Sequence, residues 1–170
     1  DVISICTKKY VKLQKRNDII VKKSLLVYVY QIMIKEDLIK NEDRFWSIIQ
    51  KNPCKAISGV NSFAILLSPF PNGQSFSCKH DCHYCPAETK KNGAEHDMPR
   101  SYLAKEPAVA RGLANNWDPV DQMNNRLESL SMMGHEVDKL ELIIEGGTYN
   151  EYPREYLIDF HRDIFYAANV

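Results

Sequence analysis

No stretch of this 170-residue chain is apolar enough, over enough length, to cross a bilayer. The strongest run, Leu25 to Ile34, is interrupted by Gln31 and is about half the span a membrane requires. A secretory leader is missing too, since the start mixes Asp1, Lys8, Lys9 and Lys12 with short apolar pieces instead of a basic tip and an apolar run. Net charge is absent, with 22 Lys+Arg against 22 Asp+Glu. The cysteines are poor material for a disulfide framework: there are five, an odd number, and three of them crowd into one loop. Neither an internal repeat nor a low-complexity tract is visible, and the acidic residues show no pairing suited to a general acid and base. These absences predict a soluble cytoplasmic protein with reduced thiols and no membrane partner.

The length suits one ordinary domain with a real core. Its charge is unevenly spread: residues 1–55 hold 12 Lys+Arg against 6 Asp+Glu, and residues 56–170 hold 10 against 16. That asymmetry permits a basic surface for a polyanion beside an acidic domain, although a Lys-rich stretch is also what a solvated face looks like.

Residues 1–23 carry no clear period and read as a basic lead-in. Leu25–Ile39 reads as helix, despite its β-branched and aromatic content. A second helix is expected from Asp43 to Gln50, with Asn41 as N-cap and Pro53 as the stop. Ser58 to Leu67 reads as a buried strand, and the polar stretch Ala87–Arg100 as loop. Glu106–Asn116 is expected to be helical. The clearest helix is Pro119–Met133, where Asp118 is the N-cap candidate, Val120, Met123, Leu127, Leu130 and Met133 recur at three- and four-residue steps, and Gly134 ends the run. Leu140–Glu145 reads as a second buried strand. Pro153–Ala168 follows as an amphipathic helix with Tyr156, Leu157, Phe160, Ile164 and Phe165 on its apolar side. Strands alternating with helices predict an α/β fold with parallel strands and functional loops at the strands' C-terminal ends.

One such loop is Cys78-Lys-His-Asp-Cys82-His-Tyr-Cys85. Three thiols within eight residues can converge on one metal centre, and two readings are open. They can bind three irons of a four-iron cluster, leaving the fourth iron free, or bind zinc with His80, His83 or His96 completing a tetrahedron. Cys6 and Cys54 lie outside any ligand spacing and read as free thiols. The other loop, Gly146-Gly147-Thr148, is by itself a tight strand-to-helix turn.

The CxxxCxxC spacing with Tyr84 before the last cysteine resembles the cluster loop of radical S-adenosylmethionine (SAM) enzymes. Further residues make the resemblance more specific. Lys51-Asn-Pro53, Ile57-Ser58-Gly59-Val60, Ser101-Tyr102, Glu106-Pro107, Asp118-Pro119, Gln122, Arg126, Met133-Gly134-His135-Glu-Val137-Asp138-Lys139 and Glu145-Gly146-Gly147-Thr148-Tyr149 are similar to the family of the catalytic subunit of the Elongator complex and its archaeal, bacterial and viral relatives. The similarity covers about residues 51–170. Eukaryotic members space the first two cysteines more widely, whereas this loop has the shorter general radical-SAM spacing.

The resemblance implies a [4Fe-4S] cluster on Cys78, Cys82 and Cys85, with SAM at the open iron. Gly146 and Gly147, with Thr148, match the motif that holds the SAM amino group, and Tyr84 falls beside the adenine or the cluster. Lys139 falls at the position that contacts acetyl-CoA. The implied reaction is carboxymethylation at C5 of a tRNA wobble uridine: a 5′-deoxyadenosyl radical takes hydrogen from the acetyl group, and the carbon radical adds to the base. His80 and His83 are then loop residues. The implied partners are tRNA and either Elongator-type subunits or a second copy. The expected fold is the first part of a partial TIM-type (β/α) barrel over residues 53–170, after a basic, mostly helical region over residues 1–52 that occupies the family's tRNA-contacting place. Two strands are too few for a barrel, so the chain reads as incomplete and by itself incompetent in SAM turnover. A zinc-stabilised nucleic-acid-binding module without catalysis, or an inactive truncated relative, is the alternative.

Overall fold

The computed structural model describes residues 23–49 and 57–170. The basic lead-in, Cys6, Cys54 and the expected stop at Pro53 lie outside those residues. The elements, in order, are α1 (Lys23–Lys35), α2 (Asp43–Ile49), β1 (Asn61–Leu66), α3 (Pro107–Ala114), α4 (Pro119–Met132), β2 (Leu140–Glu145) and α5 (Arg154–Asn169). Two short 3-10 turns, Lys90–Asn92 and Tyr149–Glu151, sit in the loops. Among the described residues, no helix is long and apolar enough to cross a membrane.

The described residues fall into two compact units. One holds the described residues up to Asn61 together with Leu127–Lys139, and the other holds Ser62–Arg126 with Leu140–Val170. In the first, α1 and α2 pack through Val27, Tyr30 and Ile49, backed by Ile34, Phe45 and Trp46. The Tyr30 ring lies 4.9 Å from Phe45 and 6.1 Å from Trp46. Its hydroxyl accepts the Glu42 N–H at 2.9 Å and donates to Asn41 Oδ1 at 3.4 Å. This corrects the expected cap: the Glu42 carbonyl receives the first helical bonds of α2, from Phe45 and Trp46, while the Asn41 side chain is taken up by Tyr30. Helix α1 also stops at Lys35, short of Ile39, because the chain reverses through Asp37 at φ +56°.

Helix α4 is bounded as its sequence indicates. Asp118 accepts the Asp121 N–H on its side chain at 2.9 Å, and Pro119 follows at the first helical position. At the other end, Gly134 at φ +78° allows a 2.8 Å bond from its own N–H to Ser131 and a 3.1 Å bond from His135 N–H to Leu130. That is the paired closure only a left-handed residue permits.

Strands β1 and β2 form one sheet. Asn61 N–H bonds the Lys139 carbonyl at 2.9 Å and Leu67 N–H bonds the Glu145 carbonyl at 2.8 Å. The offset between partners is the same at both ends, so the strands run parallel. Odd-numbered residues of β1 thus face β2, and even-numbered residues face the opposite edge. That edge is closed by side chains. Gln122 offers Oε1 to Leu66 N–H at 3.0 Å and donates Nε2–H to Leu66 O at 2.9 Å, reproducing what a neighbouring strand would supply. Arg111 Nη2 donates to Ala64 O at 3.3 Å. Over this strand, Leu66, Met98 and Val109 are fully buried, with Tyr102, Leu113 and Trp117 against them. Gly112 makes room for the indole, since a Cβ there would lie 2.6 Å from a Trp117 ring carbon.

Three further expectations need correction. Strand β1 begins at Asn61, because Ser58 and Gly59, the latter at φ +75°, form a turn. Strand β2 is not buried: it alternates half-buried and exposed over its first four residues, with Ile143 49% exposed, because it has one pairing partner among the described residues. On α5, Phe160, Ile164 and Ala167 are buried, whereas Phe165 points to solvent one step round the helix.

Gln122→Leu keeps the volume but orphans the Leu66 N–H and C=O. It should cost about 2–4 kcal/mol in urea unfolding, and a variant as stable as the parent would show that the Gln122 bonds do not hold this edge.

Candidate metal centre

The two loops meet because parallel pairing ends both strands on the same side. Past β1, Ser68 is held from α5 and the turn before it: its N–H donates to Tyr156 Oη at 2.9 Å and its carbonyl accepts from Tyr152 Oη at 3.3 Å. The chain then turns through Pro71 and Gln74 and packs Phe70 on Phe76, ring centroids 5.8 Å apart. Ser77 is fully buried, and its Oγ accepts the Arg100 N–H at 2.7 Å. Cys78 therefore starts the thiol loop from a fixed, buried point.

Past β2, Gly146 and Gly147 are required by contact. A Cβ on Gly146 would lie 2.8 Å from both Leu67 Cβ and Tyr152 Oη. A Cβ on Gly147, at φ +25°, would lie 3.2 Å from the Ser77 carbonyl oxygen and 3.6 Å from Cys78 Cβ. Cys78 Sγ lies 3.8 Å from Thr148 Oγ1. The structure thus brings together Cys78, Gly147 and Thr148, with Gly146 one residue behind.

All three residues between Cys78 and Cys82 are paired. Lys79 Nζ is 2.8 Å and His80 Nε2 3.5 Å from Glu151 Oε2, and Asp81 Oδ1 is 3.1 Å from Arg100 Nη1. The Lys79 ammonium, donating to Glu151, holds that carboxyl below its ordinary range, and the same interaction holds the Lys79 ammonium above its own. Arg100 also lies over the Phe76 ring, 5.2 Å from its centroid. Beyond Asp81 the loop faces solvent: Cys82 is exposed, Cys85 half-buried, and Cys85 N–H bonds the Cys82 carbonyl at 3.0 Å in a tight turn. Tyr84 is 88% exposed, its phenol pushed up by its hydrogen bond with Cys82 and by the nearby thiol charges.

Among the described residues, no three Cys, His, Asp or Glu side chains are gathered as metal ligands. The donor chemistry nonetheless fits a thiolate-held centre, since one thiol is seated against the glycine turn and two more lie on a short turn within seven residues of it. His83 is exposed and His96 lies 3.6 Å from Glu95. Lys139 is exposed at the N-terminal end of β2, the end opposite the glycine turn, and is not brought to the thiol loop. Sequence reasoning missed Glu151, Arg100, Ser77 and Tyr152. No spacing signal could have found Glu151 or Arg100, which reach the loop from distant segments.

Two outcomes follow from this packing. Gly147→Ala forces a side chain at positive φ against a backbone oxygen and should cost about 1–3 kcal/mol, read by urea unfolding; an unperturbed variant would refute the close approach. Burial pushes the Tyr152 phenol well above its ordinary value, and burial raises Tyr156 too. A raised folded value means stability intact below about pH 10 and lost as pH climbs through the folded value. Alkaline titration should therefore show tyrosinate absorbance appearing together with unfolding, and Tyr152→Phe should move that transition to higher pH.

No protein-family model matches the chain. It is 41% identical over 110 residues to a tRNA uridine(34) acetyltransferase of Methanocaldococcus infernus, covering 64% of this chain and 19% of that protein. A tRNA uridine(34) acetyltransferase of Methanocaldococcus jannaschii is 40% identical over 110 residues, with the same coverage. Elongator complex protein 3 of Saccharomyces cerevisiae is 30% identical over 115 residues, 66% of this chain and 20% of that protein. The chain spans about a fifth of the length of these relatives. These homologues place it in an Elongator complex protein 3-like family.

Proposed function

We propose that the chain is the first part of a radical SAM enzyme that modifies C5 of a tRNA wobble uridine, using SAM and an acetyl-CoA donor. The observation that carries this reading is the contact between the thiol loop and the glycine turn, with Gly147 against Ser77 and Cys78 at the C-terminal ends of two parallel strands. That is where β/α folds put their chemistry. The names of the two Methanocaldococcus relatives support tRNA uridine as the substrate class.

In this reading Cys78, Cys82 and Cys85 hold a [4Fe-4S] cluster, with Cys82 and Cys85 brought round to the seated Cys78. Bound there, the cluster supplies the electron for reductive cleavage of SAM. Gly146 and Gly147 keep side chains out of the space beside Cys78, so backbone groups can meet the SAM amino group, and Thr148 adds a hydroxyl at its edge. Tyr84 folds over the adenine or shields the cluster. Lys139 contacts acetyl-CoA. Residues 1–52 form the tRNA-contacting region, and 53–170 begin the barrel. The exposed apolar side chains Ile143 on β2 and Ile158, Phe165 and Tyr166 on α5 support the last point, because further strand–helix units would cover such groups. Action on tRNA in the cytoplasm, alongside Elongator-type subunits or a second copy, completes the proposal.

Anaerobic reconstitution with iron and sulfide tests it. A brown protein with about four irons per chain and a reduced-cluster paramagnetic signal is expected, and Cys82→Ala should abolish both. One tightly bound zinc with no iron cluster would overturn the proposal in favour of a zinc-stabilised module.

A further inference from the structure

The spacer between Cys78 and Cys82 is three residues long, and each of the three is charged or chargeable and paired outside the loop. The partners are unusual for surface ion pairs because they are well anchored. Glu151 has 21% of its side chain exposed, and its Oε2 is shielded from water. It sits at the end of the 3-10 turn Tyr149–Glu151, which begins directly after Thr148, and its N–H bonds the Thr148 carbonyl at 2.9 Å. Arg100 has 12% of its side chain exposed, lies on the Phe76 ring, and its N–H bonds the buried Ser77 Oγ. Lys79 and Asp81, by contrast, are largely exposed. Two anchored groups of opposite sign thus grip the three-residue spacer from two sides: a carboxylate takes Lys79 and His80, and a guanidinium takes Asp81.

We infer that Glu151 and Arg100 are positioning residues that clasp the spacer and pre-order the thiol loop for metal uptake. The inference rests on the reading that the three cysteines bind a metal. The clasp fixes the first arm of the loop, from Cys78 to Asp81, beside the glycine turn. The only segment left to rearrange when ligands gather is Cys82–Cys85. Pre-ordering lowers the conformational entropy lost on binding, which is where affinity is gained without new contacts. It also suits the short spacer, since three residues offer no slack to recover the geometry once an anchor is lost.

The test uses Co²⁺ titration of the reduced apo-protein, followed by its thiolate charge-transfer absorbance, beside mass-spectrometric alkylation of Cys78 and Cys82. Glu151→Gln should weaken Co²⁺ binding about fivefold, and Glu151→Gln with Arg100→Gln by about tenfold or more, as befits partly exposed pairs. Cys78, buried in the parent, should alkylate faster in both, while exposed Cys82 should not change. The losses should shrink in 1 M salt, which a purely packing defect would not do. The exchanged pair Lys79→Glu with Glu151→Lys should recover part of the affinity. Unchanged or tighter Co²⁺ binding in Glu151→Gln, or losses indifferent to salt, would overturn the clasp. A parent that binds neither Co²⁺ nor an iron cluster would instead overturn the metal reading itself, so the two failures are distinguishable.

Discussion

Parallel pairing of β1 with β2 is the constraint on which the candidate centre depends. The ladder runs from Asn61 against Lys139 to Leu67 against Glu145 without a change of offset, so both strands release their chains at the same level and on the same side. Cys78 and Gly147 are 69 residues apart in sequence and touch only because of that register. A one-residue slip would turn every side chain of one strand to the other face and carry the glycine turn away from Ser77. Two tyrosines reinforce the arrangement, since Tyr152 before α5 and Tyr156 on it bond the backbone of Ser68, the first residue after the ladder.

The two edges of this small sheet are treated differently. Beyond β1, Gln122 and Arg111 satisfy the backbone groups that a strand would otherwise pair, so growth on that side is blocked by side chains already in place. The outer edge of β2 has no strand partner among the described residues. Ile143 on that strand is exposed, as are Ile158 and Phe165 on α5. Strand β2, composed entirely of Leu, Ile and Glu, alternates between half-buried and exposed over its first four residues.

Much of the local structure was legible. The Asp118–Pro119 start and the Gly134 stop of α4 are written in residues whose backbone and side-chain chemistry admits few alternatives. The boundaries of β2 were readable from composition, whereas its exposure was not, because a run of branched apolar residues does not say how many neighbours the strand will find. Asn41 shows the same limit at a helix end: it is a good capping residue by type, but Tyr30, eleven positions earlier, competes for it.

For the centre, the sequence by itself determined the donors: three thiols in eight residues and two adjacent glycines after a strand, features whose chemistry is carried within a few bonds of the backbone. Only the tertiary structure decided that Gly147 faces Ser77 and Cys78, that one thiol is seated while two face solvent, and that Glu151 and Arg100 pair with the spacer. The reason is range. Ligand type and turn propensity are local properties of a residue, but charge pairing and close approach act through space, between segments that sequence order keeps apart and strand register brings together.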